Sequence, residues 1–340
     1  MAGTHYPARY DDFMAWFATD EACADYLEWL RWPAGFECQE CQSVSACRLA
    51  DGRFECWDCK KRISVSAGTV FDRTRTPLTV WFSAAWSFAA QKDGVSALAL
   101  QRNLGLSSYQ TAWMMLQRLR SVAAGRRREL LTGSVEVDET LVGGKHPGDK
   151  GGRTRGEKAL VAVAVERLAP AGWGRCRLAV IEDASHQSLR YFLQDNVELG
   201  SRVITDGWSA YPLACGRLYE HEAHVAPGAQ AVEELPAVHQ VAGLLKKWLN
   251  GTHQGSFGDE HLPEYLAEFE FRFNRRHSAA PGLLFYRLMC HAVSSAPLRY
   301  GKCIKAKRPD RPNKPPPPAT RGKPSSLEKP NAGRPWRQAA

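Results

Sequence analysis

Two aspartates stand where strand-like sequence would carry them into position. In SVEVDETLVGG, apolar and polar residues alternate around Asp138. In SRVITDGWSAY, a β-branched run leads directly into Asp206, and Gly207 marks the strand's exit. Carboxylates brought together from two strands of one mixed α/β domain are what hard Mg2+ or Mn2+ ions take as ligands. A pair of such ions clamps the attacking and leaving oxygens of a phosphodiester. The segment LPAVHQVAGLLKKWLNG adds a third element, an amphipathic helix whose apolar side is Val238, Val241, Leu245, Trp248 and Leu249. His239, Gly243, Lys246 and Asn250 share a separate stripe of that helix. A neutral His239 imidazole would complete a metal site, and Lys246 would hold a DNA phosphate. Singly, each has a plainer reading: an aspartate at the end of a surface strand, or a solvated helix histidine. Their joint order and the register of 239 with 246 tie them together.

A second chemistry sits upstream. FECQECQSVSACRLADGRFECWDCK places Cys38 and Cys41 two residues apart, then Cys56 and Cys59 at the same spacing. Two such knuckles offer four thiolates to one tetrahedral zinc. Four thiolates leave no open position, so the metal would be structural, and a pair of redox-active dithiols is the alternative. Between the knuckles, Asp51-Gly52 predicts a hairpin turn.

The elements that must position these groups follow. Thr76-Pro77 predicts a helix start, with Leu78, Trp81, Phe82, Ala85, Phe88 and Ala89 at helical spacing. VSALALQRNLGLSSYQTAWMMLQRLR reads as a short helix, a turn at Gly105, an N-cap at Ser107 or Ser108, and a second helix. That pattern resembles a helix-turn-helix whose second helix presents Gln110, Gln117, Arg118 and Arg120 to DNA, although ordinary bundles share the spacing. Arg126 to Arg128 would clamp phosphates or solvate a linker. After Asp138 a glycine-rich basic loop containing Lys145 leads to the strand ALVAVAVER, with a further strand around 177–181 and a helix near 187–196. Trp208 would stack on a splayed base or pack on the sheet. In FRFNRRH, Asn274, Arg275 and Arg276 would hold backbone phosphates, while Phe269, Phe271 and Phe273 fit a core.

The chain has 340 residues and a formal charge of +9. Residues 301–340 carry eleven Lys or Arg against Asp310 and Glu328, so the surplus belongs to this segment. Its nine prolines predict a disordered tail, able to hold polyanions or simply to solubilise. The acidic N-terminal sequence does not read as a secretion signal, and Trp81 to Ala90 is too short to span a membrane, which predicts a cytoplasmic protein.

Taken together, the ribbon cysteines, SAGTVFDRTRTPLTVW, VEVDETLVGGK, ITDGWSAY, VHQVAGLLKKWLNGTHQG and EYLAEFEFRFNRRH resemble the DDE-type transposases of bacterial insertion sequences. The similarity is to the subgroup that joins a zinc ribbon to an ISXO-like integrase-type domain, and it spans about residues 35 to 290. It implies an α/β, RNase H-like catalytic domain, a mixed sheet flanked by helices, over 133–292. Ahead of it would lie a helical segment over 1–35, the zinc ribbon over 36–66 and a helix-turn-helix-like part over 67–132, with the tail over 300–340 behind. The implied reaction is cleavage at element ends followed by strand transfer on double-stranded DNA, by a dimer or higher assembly associated with the nucleoid. Asp138 and Asp206 match the first two metal ligands and Lys246 the basic residue after the third. The common third ligand is a glutamate seven residues before that lysine. Here His239 occupies the position, with Glu233 and Glu234 nearby but out of register. An inactive copy, a DNA-binding repressor and an RNase H-like nuclease are the alternatives.

Overall fold

The computed structural model describes residues 5–124, 129–143, 158–168, 170, 172–225, 234–255 and 258–304. Lys145, Arg126 to Arg128, Glu233 and the tail from 305 onward lie outside the described residues. The elements in chain order are α1 (Tyr10–Trp16), α2 (Asp20–Arg31), β1 (Ala46–Arg48), β2 (Phe54–Cys56), β3 (Arg62–Ile63), α3 (Leu78–Ala90), α4 (Ala97–Asn103) and α5 (Tyr109–Ala123). There follow β4 (Ser134–Val142), β5 (Ala159–Arg167), β6 (Trp173–Ile181), α6 (His186–Asn196), β7 (Arg202–Thr205), α7 (Tyr211–Cys215) and β8 (Glu220–Ala223). The described chain closes with α8 (Pro236–Thr252), α9 (Leu262–Phe273), α10 (Pro281–Ser294) and α11 (Tyr300–Ile304). No helix among the described residues is long and apolar enough to cross a membrane.

β4 to β8 form one five-stranded sheet in the order β6-β5-β4-β7-β8. The first three strands meander antiparallel, whereas β7 and β8 run parallel to β4. That order and sense, with helices on both faces, is the RNase H-like arrangement. Strand alternation decides what faces what. Val135 and Val137 of β4 and Ala162 and Ala164 of β5 enter a core with α6 and α7, including Leu189, Phe192 and Tyr211. The intervening Val161, Val163 and Val165 pack on the other face under α8 and α9, against Val241, Leu245, Leu266 and Phe269. The edge strand β6 is protected by side chains of α9. Glu270 accepts the Leu178 N–H at 2.6 Å, and Asn274 accepts from the Cys176 N–H at 2.7 Å and donates to its carbonyl at 3.0 Å. A helix thereby supplies the partners a sixth strand would have given.

The helical part has its own core of Phe13, Phe17, Leu27, Phe82, Phe88, Leu100 and Leu116. α3 begins one residue later than the sequence suggests, with Pro77 as N-cap. Asp20, at the start of α2, takes the Thr79 N–H and hydroxyl, both at 2.9 Å. α10 returns to this core, inserting Phe285, Leu288 and Met289 among the N-terminal helices. The helical part and the part built on the five-stranded sheet are pinned by a buried ion cluster in which Arg120 Nε of α5 lies 2.6 Å from Glu268 of α9, and Arg272 pairs with the same carboxylate.

The expectation that Gln117 and Arg120 face DNA is corrected by this packing: both are about 1% exposed. α5 is not a protruding recognition helix but the central helix of its bundle, contacting α3, α4, α9 and α10. Arg118 is also engaged internally, donating to the carbonyls of Val70, Asp72 and Leu298 at 3.0, 3.3 and 3.1 Å. Gln110, in the first turn, remains exposed and donates to the Tyr300 hydroxyl at 3.1 Å. Arg275 stacks over Phe271 at 4.3 Å and donates to that residue's carbonyl at 3.1 Å. Arg276 lies over Phe273 at 4.0 Å and donates to the carbonyls of Trp173, Gly174 and Phe273. Arg276 and Asn274 thus hold α9 to β6, and Arg275 is folded back on its own helix, rather than standing free for phosphates.

Candidate active site

The zinc site is assembled by two knuckles of matching geometry. Gln42 and Lys60, each directly after a second cysteine, adopt left-handed φ values of 62° and 58°. The Gln42 N–H returns to the Cys38 carbonyl and the Lys60 N–H to that of Cys56, at 2.8 and 3.0 Å. All four Sγ atoms lie within 4.8 Å of one another, with Cys38 to Cys59 and Cys41 to Cys56 both at 3.6 Å. A tetrahedron with Zn–S bonds of about 2.3 Å requires S···S spacings near 3.8 Å, so the cluster fits Zn2+. Backbone N–H groups already point at the thiolates. The N–H of Cys59 brings Cys56 down to about 6, and that of Cys41 lowers Cys38. The Asp51-Gly52 turn is present, with Gly52 at φ +78°. Arg31 anchors the ribbon to α2 by donating to the carbonyls of Ser64, Val65 and Ala67 at 3.2, 2.5 and 2.6 Å.

The two aspartates are brought near each other by adjacent parallel strands. β4 and β7 pair in parallel with Ser134 beside Arg202, Val135 beside Val203 and Glu136 beside Ile204. The pairing ends there, and Asp206 follows directly after β7, near enough for its charge to act on Asp138. Asp138 is half-buried and on its other side pairs with Val163 of β5. Burial raises its pKa first, and the neighbouring Asp206 raises it further. The Glu139 N–H, His239 and Lys246 act in the opposite direction. Asp206 is exposed, and its Oδ1 accepts the Trp208 N–H at 3.0 Å as the chain turns out of β7. Gly207 makes that exit at φ +81°, where a Cβ would come within 2.6 Å of Val225. Trp208 is half exposed, its Nε1 donating to the Ala184 carbonyl at 3.0 Å.

His239 and Lys246 come from α8, which lies over the same face of β4 as Asp138. His239 is half-buried and Lys246 is exposed. Desolvation lowers the lysine's pKa against the attraction of Asp138. The N-terminus of α8 is held by β4 itself. Leu235 at the N-cap offers no side-chain acceptor and Pro236 has no N–H to satisfy, which leaves Ala237 and Val238. Both donate to Oε2 of the fully buried Glu136, at 2.7 and 3.1 Å. Arg167 lies 3.1 Å from the other oxygen. Burial raises the Glu136 pKa, opposed by these N–H groups and by Arg167.

Glu234, the displaced alternative to His239, is turned away: His224, just beyond β8, bonds it at 2.6 Å and bonds Glu222 at the same distance. Asp138, Asp206 and His239 do not close to mutual distances below 4.8 Å; among the described residues that spacing occurs in the four-cysteine cluster. Asp206 and His239 nevertheless both act electrostatically on the Asp138 carboxylate. Sequence reasoning missed Glu139. It points to the α6/α7 face, where the Tyr211 hydroxyl bonds Oε1 at 2.5 Å. Burial, with Asp138 and Asp206 adding repulsion against the Tyr211 bond, takes its pKa to about 7. Its signal was a charged residue at a strand position whose i−2 and i−4 neighbours, Val137 and Val135, are core.

Comparison with known proteins follows the same division. Residues 130–274 match the ISXO2-like transposase domain, and residues 18–62 match a transposase zinc-ribbon domain. The chain carries an ISXO2-like transposase domain behind a transposase zinc ribbon. A relative in Halobacterium salinarum, the uncharacterized protein in transposable element ISH50, is 28% identical over 275 residues, covering 75% of this chain and 91% of that protein. Among solved structures, the simian T-cell lymphotropic virus intasome in complex with the PP2A regulatory subunit B56 gamma matches at 15% identity. That match covers 56% of this chain and 65% of the other, with a TM-score of 0.25.

Proposed function

We propose that this transposase cleaves DNA at the ends of an insertion sequence and joins the freed 3′ ends to target DNA, with Asp138, Asp206 and His239 as ligands for Mg2+ or Mn2+. The observation that carries the reading is the approach of Asp138, on β4, and Asp206, directly after the parallel neighbour β7, with Asp206 and Lys246 both acting electrostatically on the Asp138 carboxylate. Two like charges held side by side raise the cost of ionisation, and a divalent cation removes that cost. The bound metal supplies Lewis-acid stabilisation of the phosphoryl transition state and an activated water. The chain's own groups do the positioning. The parallel pairing of β4 with β7 brings the two carboxylates together, Glu136 fixes α8 above them, and the Lys246 ammonium holds a non-bridging phosphate oxygen. Two DNA ends must meet for joining, so the working form is a dimer or larger assembly, acting on double-stranded DNA in the cytoplasm.

The test is a cleavage and strand-transfer assay with Mg2+ or Mn2+ on DNA carrying the element's ends. Asp138→Asn and Asp206→Asn should each abolish both steps, and full cleavage by either variant overturns the assignment. The open spacing of Asp138, Asp206 and His239 favours a second reading, a DNA-binding derivative that does not cut. Such a protein would bind element ends equally well with and without divalent metal.

A further inference from the structure

With Gln117 and Arg120 buried, the surface through which the helical part meets its partner must lie elsewhere. The ribbon offers little uncompensated positive charge. Residues 36–66 contain five basic and five acidic residues. Arg48 pairs with Asp25 and Glu28, Arg53 with Asp51, Lys61 with Glu40 and Arg62 with Glu55.

The loop ahead of α3 differs. Together with the first turn of α5 it frames an open cleft of about 310 Å3, lined by polar side chains such as Thr74, Arg75 and Gln110 together with the apolar Trp81, Met114 and Met115, with no acidic side chain in its lining. The loop is organised rather than loose. Thr74 Oγ1 accepts from Trp81 Nε1 at 2.8 Å and from the Thr76 N–H at 3.1 Å. Arg118 braces the loop from beneath through the carbonyls of Val70 and Asp72. Arg73, next to the cleft, takes a left-handed φ of 53°, and its side chain is 81% exposed and lies 3.9 Å from Asp72. Arg75 is exposed and has no carboxylate partner among the described residues.

We propose that this cleft seats the sugar-phosphate backbone of duplex DNA, with Arg73 and Arg75 as the phosphate contacts and the exposed first turn of α5, through Gln110, beside the groove. The assignment rests on the reading of the protein as DNA-acting. It moves the contact from the buried C-terminal half of α5 to its N-terminal turn and to the 73–76 loop. Guanidinium groups fit phosphate oxygens in paired hydrogen bonds, the hydroxyls and amide of the lining supply further donors without a carboxylate to repel the backbone, and Trp81 and the methionines offer apolar surface to the sugars.

The full-length protein is titrated with a labelled duplex of random sequence over a range of salt concentrations, following fluorescence anisotropy. Each phosphate contact contributes roughly 0.9 to the log–log salt slope, so the Arg73→Ala/Arg75→Ala double variant should lower it by about 2. The Arg73→Lys/Arg75→Lys pair should keep the slope, and because both side chains are exposed, the melting temperature of each variant should match the parent. An unchanged slope in the alanine pair, with normal binding by the parent, overturns this surface alone. Absence of duplex binding by the parent overturns the DNA-acting reading as well. Binding of an acidic polypeptide at the same site, with no duplex competition, overturns the nucleic-acid assignment.

Discussion

Oε2 of Glu136 accepts the N–H of Ala237 at 2.7 Å, so a strand residue two positions from Asp138 closes the end of the helix that carries His239 and Lys246. A carboxylate there serves both as hydrogen-bond acceptor and as the charge favoured by a helix N-terminus. Glu136→Ala should destabilise the fold by about 3 kcal/mol in urea unfolding, because it leaves buried N–H groups unanswered. Glu136→Gln, which keeps one carbonyl acceptor, should lose roughly half of that. A loss below about 0.5 kcal/mol for the alanine variant would show that the cap is not what holds α8.

The zinc ribbon has a small core of Cys38, Cys56 and Ile63 with Phe36 and Ala67 packed against it. So little apolar surface cannot hold a three-stranded sheet, and metal binding must contribute most of its folding free energy. Elemental analysis should find one zinc per chain. Cys41→Ser should lower occupancy and open the ribbon to proteolysis, while the sheet of β4 to β8 keeps its protection in hydrogen exchange. Retained protection of β1 to β3 in the stripped protein would contradict the dependence.

Glu268 is fully buried between Arg120 and Arg272, and the two guanidinium groups together hold its pKa down despite the cost of burial. Glu268→Gln leaves two buried cations short of a counter-charge. It should cost about 3–5 kcal/mol, more than any exposed ion pair of the ribbon would. Thermal unfolding of this variant beside Glu55→Gln checks the ranking.

His253 packs edge-on against Trp248 and Tyr265, both at 4.8 Å, and its buried Nε2 has no hydrogen-bond partner among the described residues. Burial first, then the nearby Arg120 and Arg272, lower its pKa from 6.5 to about 4. Unfolded chains therefore bind a proton between those values that the folded state refuses. The stabilisation is present above pH 6.5 and is lost as the pH falls toward 4, by on the order of 3 kcal/mol. His253→Phe keeps an aromatic ring in place and should flatten the pH dependence of stability across this window. An unchanged profile would assign it to other groups.

The strands and the main helices are legible because their burial follows simple periods. Val135 and Val137 alternate with Glu136 and Asp138, and Val238, Val241 and Leu245 recur along α8. The four cysteines are legible because their spacing encodes one geometry. The arginines are not. Arg120, Arg118 and Arg276 read as cationic in sequence, yet each is engaged by a carboxylate or carbonyl from a distant segment, such as Glu268 or Trp173. Local pattern carries no information about such partners. Glu136 and Glu139 were hidden for the same reason, since the groups they bind, Ala237 and Tyr211, arrive from other parts of the chain.

The return of α10 to the N-terminal core has a bearing on synthesis. A ribosome makes α1 to α5 first, yet Phe285, Leu288 and Met289, which fill the space among Phe13, Phe17 and Phe82, emerge only after the whole five-stranded sheet. The helical part therefore remains an open apolar trough until the catalytic part is finished. A chain broken off between the two leaves a sticky fragment rather than a free-standing front domain.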